Sequence, residues 1–257
     1  MKILAVGDVT SPAAAAELAR RLPAFRKAEG VDFAAVNCEN AGFIIGPPIE
    51  VARGLLEGGA DVLTGGNHLL QNLSLQSYLE RDTRTVRPCN YPASVPGRGY
   101  TLRRVGEVRV LVINALGRVQ MEPALDSPFP AIDRILEKEA GRYDVSLLDF
   151  HAEATGEKMA MARYLDGRVT VLWGTHTHVP TADTQILPGG TGYVSDLGMC
   201  GATGGVLGLA AGPVLKRYLT GLPEKFTPAE GPVACDGVLF DVDTARGKTT
   251  AVRRVRF

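Results

Sequence analysis

The chain opens with a short apolar run, KILAV, that stops at Gly7-Asp8, and apolar runs that stop at polar residues recur along its length. Residues 2–8 read as a buried strand. The SPAAAAELARRL segment that follows reads as a helix, with Ser11 as N-cap and Pro12 at the first helical position. VDFAAVN predicts a second strand, residues 48–57 a helix, DVLTGG a third strand and LLQNLSLQSYLE a third helix. Strand, loop and helix thus alternate three times within the first 80 residues, which argues for parallel βαβ units and an α/β fold.

The pattern then changes. GYTLRRV and EVRVLVINAL alternate polar and apolar positions around Gly106, as an antiparallel hairpin does. Residues 118–130 read as a surface loop, followed by a helix (AIDRILEKEA), a strand (YDVSLLDFH), a helix (EKMAMARYL) and a strand (RVTVLWGTH). The end of the chain, CDGVLFDVDTARGKTTAVRRVRF, reads as a second hairpin. There is no internal repeat, low-complexity tract or linker. The expectation is therefore one domain over residues 1–257, built as a mixed two-sheet sandwich with helices outside.

Composition adds exclusions. Lys+Arg and Asp+Glu are equal at 28 each, so no broad basic footprint for nucleic acid is present. The opening apolar run ends too soon for a signal peptide, and no apolar stretch approaches a membrane span. Cysteines 38, 89, 200 and 235 form no CxxC pair, so the expectation is reduced thiols in a cytoplasmic protein.

The carboxyl ends of the strands carry the chemistry. They hold Asp8, Glu39-Asn40, Asn67-His68, His151, and His176 with His178, which includes all four histidines of the chain. Ligands in open α/β sheets sit outside those ends, where the loops converge. In an extended chain His176 and His178 project to one face, roughly 6.6 Å apart. That spacing offers one imidazole to each of two metal ions, which lie about 3.5–4 Å apart in dinuclear hydrolytic sites. Asp8, Glu39 and a bridging hydroxide would leave two divalent ions with about one net positive charge, which suits the single negative charge of a phosphodiester. The mixed nitrogen and oxygen donors favour Mn, Fe or Zn over calcium or magnesium.

These residues resemble the calcineurin-like metallophosphoesterase superfamily through GD at 7–8, GNH at 66–68, the isolated His151 and GTHTH at 174–178. The segments CENAG, GGNH, GTHTHVPTAD and SDLGMCG are similar to its bacterial YmdB-like branch, which is associated with phosphodiesterase activity, including on 2′,3′-cyclic nucleotides. The resemblance implies a four-layer αββα sandwich of two mixed sheets flanked by helices, with a dinuclear centre at the sheet edges. By position it places Asp8, Asn40 and His178 on a first metal and Asn67, His151 and His176 on a second, with Glu39 bridging. His68 becomes the general acid that protonates the leaving oxygen while the bridging hydroxide attacks in line. The catalytic set is then His68 with the adjacent ligand Asn67. Asp183 and Asp196 are candidates for carboxylates that support the ligand histidines.

Three departures from the superfamily pattern stand out. Asp8-Val9-Thr10 lacks the histidine of Asp-x-His, and Asn40 substitutes for it; Glu39 after Cys38 replaces an aspartate; and Leu69-Leu70-Gln71 follow GNH where a carboxylate is common. The first two fit the YmdB-like branch. The third motivates an alternative reading, a metal-containing regulatory protein that binds a nucleotide or an RNA-derived ligand with little turnover. A third reading, C–N hydrolysis on an amidohydrolase barrel, ranks low because its His-x-His sits on a first strand. A homo-oligomer is compatible with the sequence, and no membrane partner is expected.

Overall fold

The computed structural model describes all residues, 1–257. Its elements are β1 (Lys2–Val6), β2 (Asp8–Val9), α1 (Pro12–Glu29), β3 (Phe33–Asn37), α2 (Ile49–Glu57), β4 (Val62–Thr64), α3 (Leu73–Leu79), β5 (Tyr100–Val105) and β6 (Val108–Leu116). There follow α4 (Pro128–Lys138), β7 (Val145–His151), α5 (Thr155–Leu165), β8 (Val171–Thr175), β9 (Gln185–Ile186), β10 (Gly192–Val194), β11 (Met199–Ala202), α6 (Ala211–Thr220), β12 (Val233–Asp243) and β13 (Lys248–Arg256). One sheet has the order β2-β11-β12-β1-β3-β4, with β13 beside β12, and the other the order β5-β6-β7-β8-β10-β9. Both are mixed. β1, β3 and β4 run parallel, as do β6, β7, β8 and β10, whereas β12 and β5 join their neighbours antiparallel.

Three apolar layers hold the sandwich. Ile3, Phe33, Val238 and Phe240 of the first sheet meet Val112, Leu147, Val171 and Trp173 of the second in a shared inner core. The outer face of the first sheet packs through Leu4, Val36 and Leu63 on Leu18 and Leu22 of α1 and Leu55 of α2. Leu111, Leu148 and Leu172 of the second sheet pack on Ile132 of α4 and Met161 of α5. Strands covered on both faces read as continuous apolar runs, so the sequence pattern and the burial agree. The result is the expected four-layer αββα sandwich.

The hairpins β5–β6 and β12–β13 form as expected. Ser11 caps α1 by accepting from Ala14 N at 3.1 Å. The third helix differs. Asn72 accepts from Ser74 N at 3.1 Å and starts α3 there, so Leu69–Gln71 form a separate 3₁₀ turn. The hydrophobic pattern predicts no element between 181 and 232, where β9, β10, β11 and α6 lie. The expectation of four free thiols is also corrected: Cys200 and Cys235, directly opposite on β11 and β12, are joined as a disulfide, and Cys38 and Cys89 are free. No helix is long and apolar enough to cross a membrane.

Candidate metal centre

All eight residues singled out in the sequence meet at one rim of the sandwich. Asp8, Glu39, Asn40, Asn67 and His68 come from the ends of the first sheet; His151, His176 and His178 come from β7 and the loop after β8. His151 Nε2 lies 3.1 Å from Glu39 Oε1, 3.2 Å from Asn67 Oδ1 and 3.1 Å from His176 Nδ1. His178 Nε2 lies 3.9 Å from Asp8 Oδ1 and 3.3 Å from Asn40 Nδ2. Asn40 Oδ1 turns to His68 Nδ1, 2.8 Å away, which is also 3.3 Å from Glu39 Oε1.

The histidine pair is gathered by a bend, which corrects the extended geometry expected from its spacing. β8 ends at Thr175, and His176 and His178 both adopt left-handed backbone, with φ of 105° and 63°. Asp8 Oδ2 accepts from His176 N and Asp196 Oδ2 from Thr177 N, each at 3.1 Å, so two buried carboxylates pin the turn. The rings therefore diverge, His176 toward His151 and His178 toward Asp8. Asp196 touches no imidazole. It pairs with Lys158 Nζ at 2.8 Å, both side chains 1% exposed, while Asp183 bonds Thr181 and Ser195. Neither carboxylate orients a histidine directly.

That orienting role falls to other groups. His151 Nδ1 lies 2.9 Å from Thr175 Oγ1, which donates to Asp149 Oδ1 at 2.7 Å. His176 Nε2 lies 3.2 Å from Glu153 Oε2, and His178 Nδ1 lies 3.0 Å from the carbonyl of Leu207. Each imidazole thus has an oxygen acceptor at one nitrogen and turns the other into the cluster. This is the tautomer a ligating histidine needs. Asp149 is held in turn by Asn37 and Thr64. The sequence reading missed Thr175, Asp149, Asn37 and Glu153. Their one visible signal is a polar residue within or just after a run of apolar strand residues.

The electrostatics of the cluster ask for a cation. Asp8 and Glu39 are 0% exposed, and Asp8 Oδ1 and Glu39 Oε1 make no hydrogen bond. Burial raises Asp8 to about 6, against the pull of His178 and His151. Burial also opposes ionisation of Glu39, yet the positive charge of His151 and His68 outweighs it and lowers that carboxyl to about 2. Burial alone would lower His151, but Glu39, Asp8 and Asp149 raise it to about 9. His176 is lowered to about 3, first by burial and then by the charge on His151. Without metal, a proton on His151 supplies the positive charge that the carboxylates require. Orphaned carboxylate oxygens facing correctly oriented imidazoles fit divalent ions, which would replace that proton. Gly66 leaves the space: a Cβ there would overlap Glu39 Oε2 and the His151 ring.

Beside the cluster opens a cleft of about 370 Å³, lined by Asn40, His68, Glu153, His176 and His178 on its polar side and by Ile44, Leu207, Leu209 and Phe226 on its apolar side. No lysine or arginine lines it.

A four-layer sandwich that gathers carboxylate, amide and imidazole donors at the common rim of its sheets is metallophosphoesterase-like in architecture. Within that class the chain belongs to the YmdB-like protein family, whose profile matches residues 4–255. It is 37% identical over 255 residues to the 2′,3′-cyclic-nucleotide 2′-phosphodiesterase of Bacillus subtilis (strain 168), covering 99% of this chain and 96% of that protein. A crystal structure of a hypothetical protein from Thermus thermophilus superposes with a TM-score of 0.93 at 38% identity, covering 100% of this chain and 99% of the other. That of a novel phosphatase from Mycoplasma pneumoniae gives 0.92 at 31%, covering 100% and 93%.

Proposed function

We propose that the protein is a metal-dependent phosphodiesterase acting on 2′,3′-cyclic nucleotides or similar phosphodiesters, formed as one domain over residues 1–257. The observation that carries this reading is the pair of buried carboxylate oxygens, Asp8 Oδ1 and Glu39 Oε1, left without hydrogen bonds among imidazole and amide groups. In this reading Asp8, Asn40 and His178 would hold one divalent ion and Asn67, His151 and His176 a second, with Glu39 as a ligand to both. Asn40 would join through Oδ1, whose second lone pair still faces His68 Nδ1. The nitrogen and oxygen donors suit Mn, Fe or Zn. Bound ions supply a water of lowered pKa and neutralise charge on the phosphoryl oxygens.

The chain's own groups do the rest. Glu153, Thr175 and the Leu207 carbonyl keep the three imidazoles in register. Hydroxide, formed as the water releases its proton to solvent, attacks phosphorus opposite the leaving oxygen; one P–O bond forms, the other breaks, and His68 gives its Nε2 proton to the departing alkoxide and regains one from solvent. The charge of the cleft supports a diester. With no lysine or arginine and with the carboxylate of Glu153, it offers nothing to the second negative charge of a monoester. The alternative, a metal-containing regulatory protein with little turnover, rests on the missing carboxylate after GNH, and Asn40 and Glu39 already hold His68 from the other side.

The test is direct. Protein loaded with Mn²⁺ or Fe²⁺ is expected to hydrolyse a 2′,3′-cyclic nucleotide and a generic aryl phosphodiester, and to prefer diesters over monoesters. Failure on both diesters by fully loaded protein would overturn the reading, and tight nucleotide binding without product would favour the regulatory alternative.

A further inference from the structure

We propose that the apolar side of the cleft is a nucleoside subsite, in which Phe226, Leu207 and Ile44 hold the base and sugar of a cyclic nucleotide. The proposal rests on the phosphodiesterase reading and adds residues that determine specificity within it.

Large apolar side chains normally face inward, yet Ile44 is 37% and Leu207 44% exposed, both in this cleft. Both also hold left-handed backbone, with φ of 61° and 53°, which L side chains rarely adopt and β-branched isoleucine least of all. Strain of this kind persists where surrounding structure enforces it and collects at functional sites. The enforcing contacts are present. Val206 and Leu209 exchange both backbone hydrogen bonds, at 2.8 and 2.9 Å, and Ala210 N donates to Thr227 O at 2.9 Å, beside Phe226. The Leu207 turn is thereby fixed to the segment that carries the aromatic ring. Arg217 stacks on Phe226 with its guanidinium 5.4 Å from the ring centre.

This wall is tied to the reacting centre. The carbonyl of Leu207 accepts from His178 Nδ1 at 3.0 Å, so the leucine and the imidazole keep one register. Ile44 stands four residues after Asn40 in the same loop. A rigid apolar wall with one aromatic ring, adjoining a centre that suits one negative charge, calls for a flat, neutral group next to a monoanionic phosphate. A nucleobase on a ribose cyclic phosphate has that form, and its stacking on an aromatic ring tolerates any base. A second phosphate in the cleft would meet the carboxylate of Glu153, and no lysine or arginine lines the cleft.

The experiment compares two strained five-membered cyclic diesters with the same reacting ring. One is adenosine 2′,3′-cyclic phosphate; the other, glycerol 1,2-cyclic phosphate, lacks the nucleoside. In metal-loaded Phe226→Ala and Leu207→Ala, the ratio of kcat/KM for the nucleotide over the glycerol compound is expected to fall about tenfold, through KM of the nucleotide. An unchanged ratio, whether both activities fall together or neither does, overturns the subsite. A second arm titrates adenosine, which carries no phosphate, into wild type and Phe226→Ala by calorimetry; the substitution is expected to weaken binding about tenfold. If the wild type hydrolyses neither diester, the phosphodiesterase reading fails and this arm alone decides. Binding that depends on Phe226 keeps the wall as a nucleoside site, and binding that ignores it removes it.

Discussion

His68 Nδ1 lies 2.8 Å from Asn40 Oδ1, so the loop after β3 orients the imidazole that follows β4. Glu39, next to Asn40, accepts from the backbone N–H of His68 at 3.2 Å. Two consecutive residues thus fix both the ring and the main chain of the proposed acid. This arrangement explains how Leu69-Leu70-Gln71 can follow the histidine without supplying a carboxylate. Leu69 is fully buried in the core beneath α3, and its place in the sequence serves packing.

His68→Ala is expected to keep its metal, because the ring is not among the proposed ligands. Loss of a general acid typically costs about 10²–10⁴ in rate. The full loss should appear with a cyclic nucleotide, whose leaving alkoxide needs the proton, and far less with bis(p-nitrophenyl) phosphate, whose phenolate leaves unaided. Metal content by elemental analysis, read beside kcat on the two substrates, checks this. A variant that loses metal would make His68 a ligand instead.

Thr175→Val keeps the shape of the side chain and removes the hydroxyl between His151 and Asp149. His151 then has no acceptor at Nδ1, and Asp149, fully buried, loses one of its donors. Removing such a partner of a ligating histidine typically weakens metal affinity about 10–100-fold. Competition with a chelator measures it. An unaltered affinity would show that the ring is held by packing alone.

The layered fold and the members of the cluster were legible in the sequence because both follow from simple periodicities. Runs such as VDFAAVN and YDVSLLDFH are apolar since helices and the opposing sheet cover both faces, and each run ends where the rim begins. The bend at His176–His178 was not legible. Left-handed backbone is usually announced by glycine, and here two hydrogen bonds from Asp8 and Asp196, remote in sequence, impose it on histidines. The buried supports were hidden for the same reason. Asn37 and Asp149 sit inside apolar strands 112 residues apart, and only the stacking of the two sheets brings them within 3.0 Å. The pairing of Cys200 with Cys235 likewise depends on register between β11 and β12, which no spacing rule supplies.

Lys158 and Asp196 form an ion pair with each side chain 1% exposed, and Asp196 also pins the turn between the two loop histidines. Lys158→Ala removes one charge and strands the other. Breaking a buried pair this way costs about 3–5 kcal/mol, more than either charge contributes at a surface. Urea denaturation is expected to show that loss, with metal affinity reduced as well because the turn loosens. Lys158→Ala combined with Asp196→Asn should recover part of the stability, since no uncompensated charge remains. A single variant as stable as wild type would mean that water reaches the pair.

At the opposite side of the second sheet, Asp144 receives Arg109 through two side-chain bonds, at 2.6 and 3.0 Å, and through its backbone N–H at 2.8 Å. These bonds to Arg109 lower the carboxyl from 3.8 to about 2, against a smaller opposing effect of burial. A carboxyl whose folded pKa lies below its unfolded value binds fewer protons in the native state, so its contribution is complete above about pH 4. As the pH falls toward 2, the unfolded chain takes up its proton first and the contribution disappears. Asp144→Asn is therefore expected to lower the urea midpoint at pH 6 and to leave it unchanged near pH 2, each relative to wild type at the same pH. The pair is partly solvated, with Asp144 31% and Arg109 43% exposed in their side chains, so the difference at pH 6 should shrink in molar salt. A midpoint difference that persists undiminished to pH 2 would assign the effect to lost backbone hydrogen bonding and not to charge.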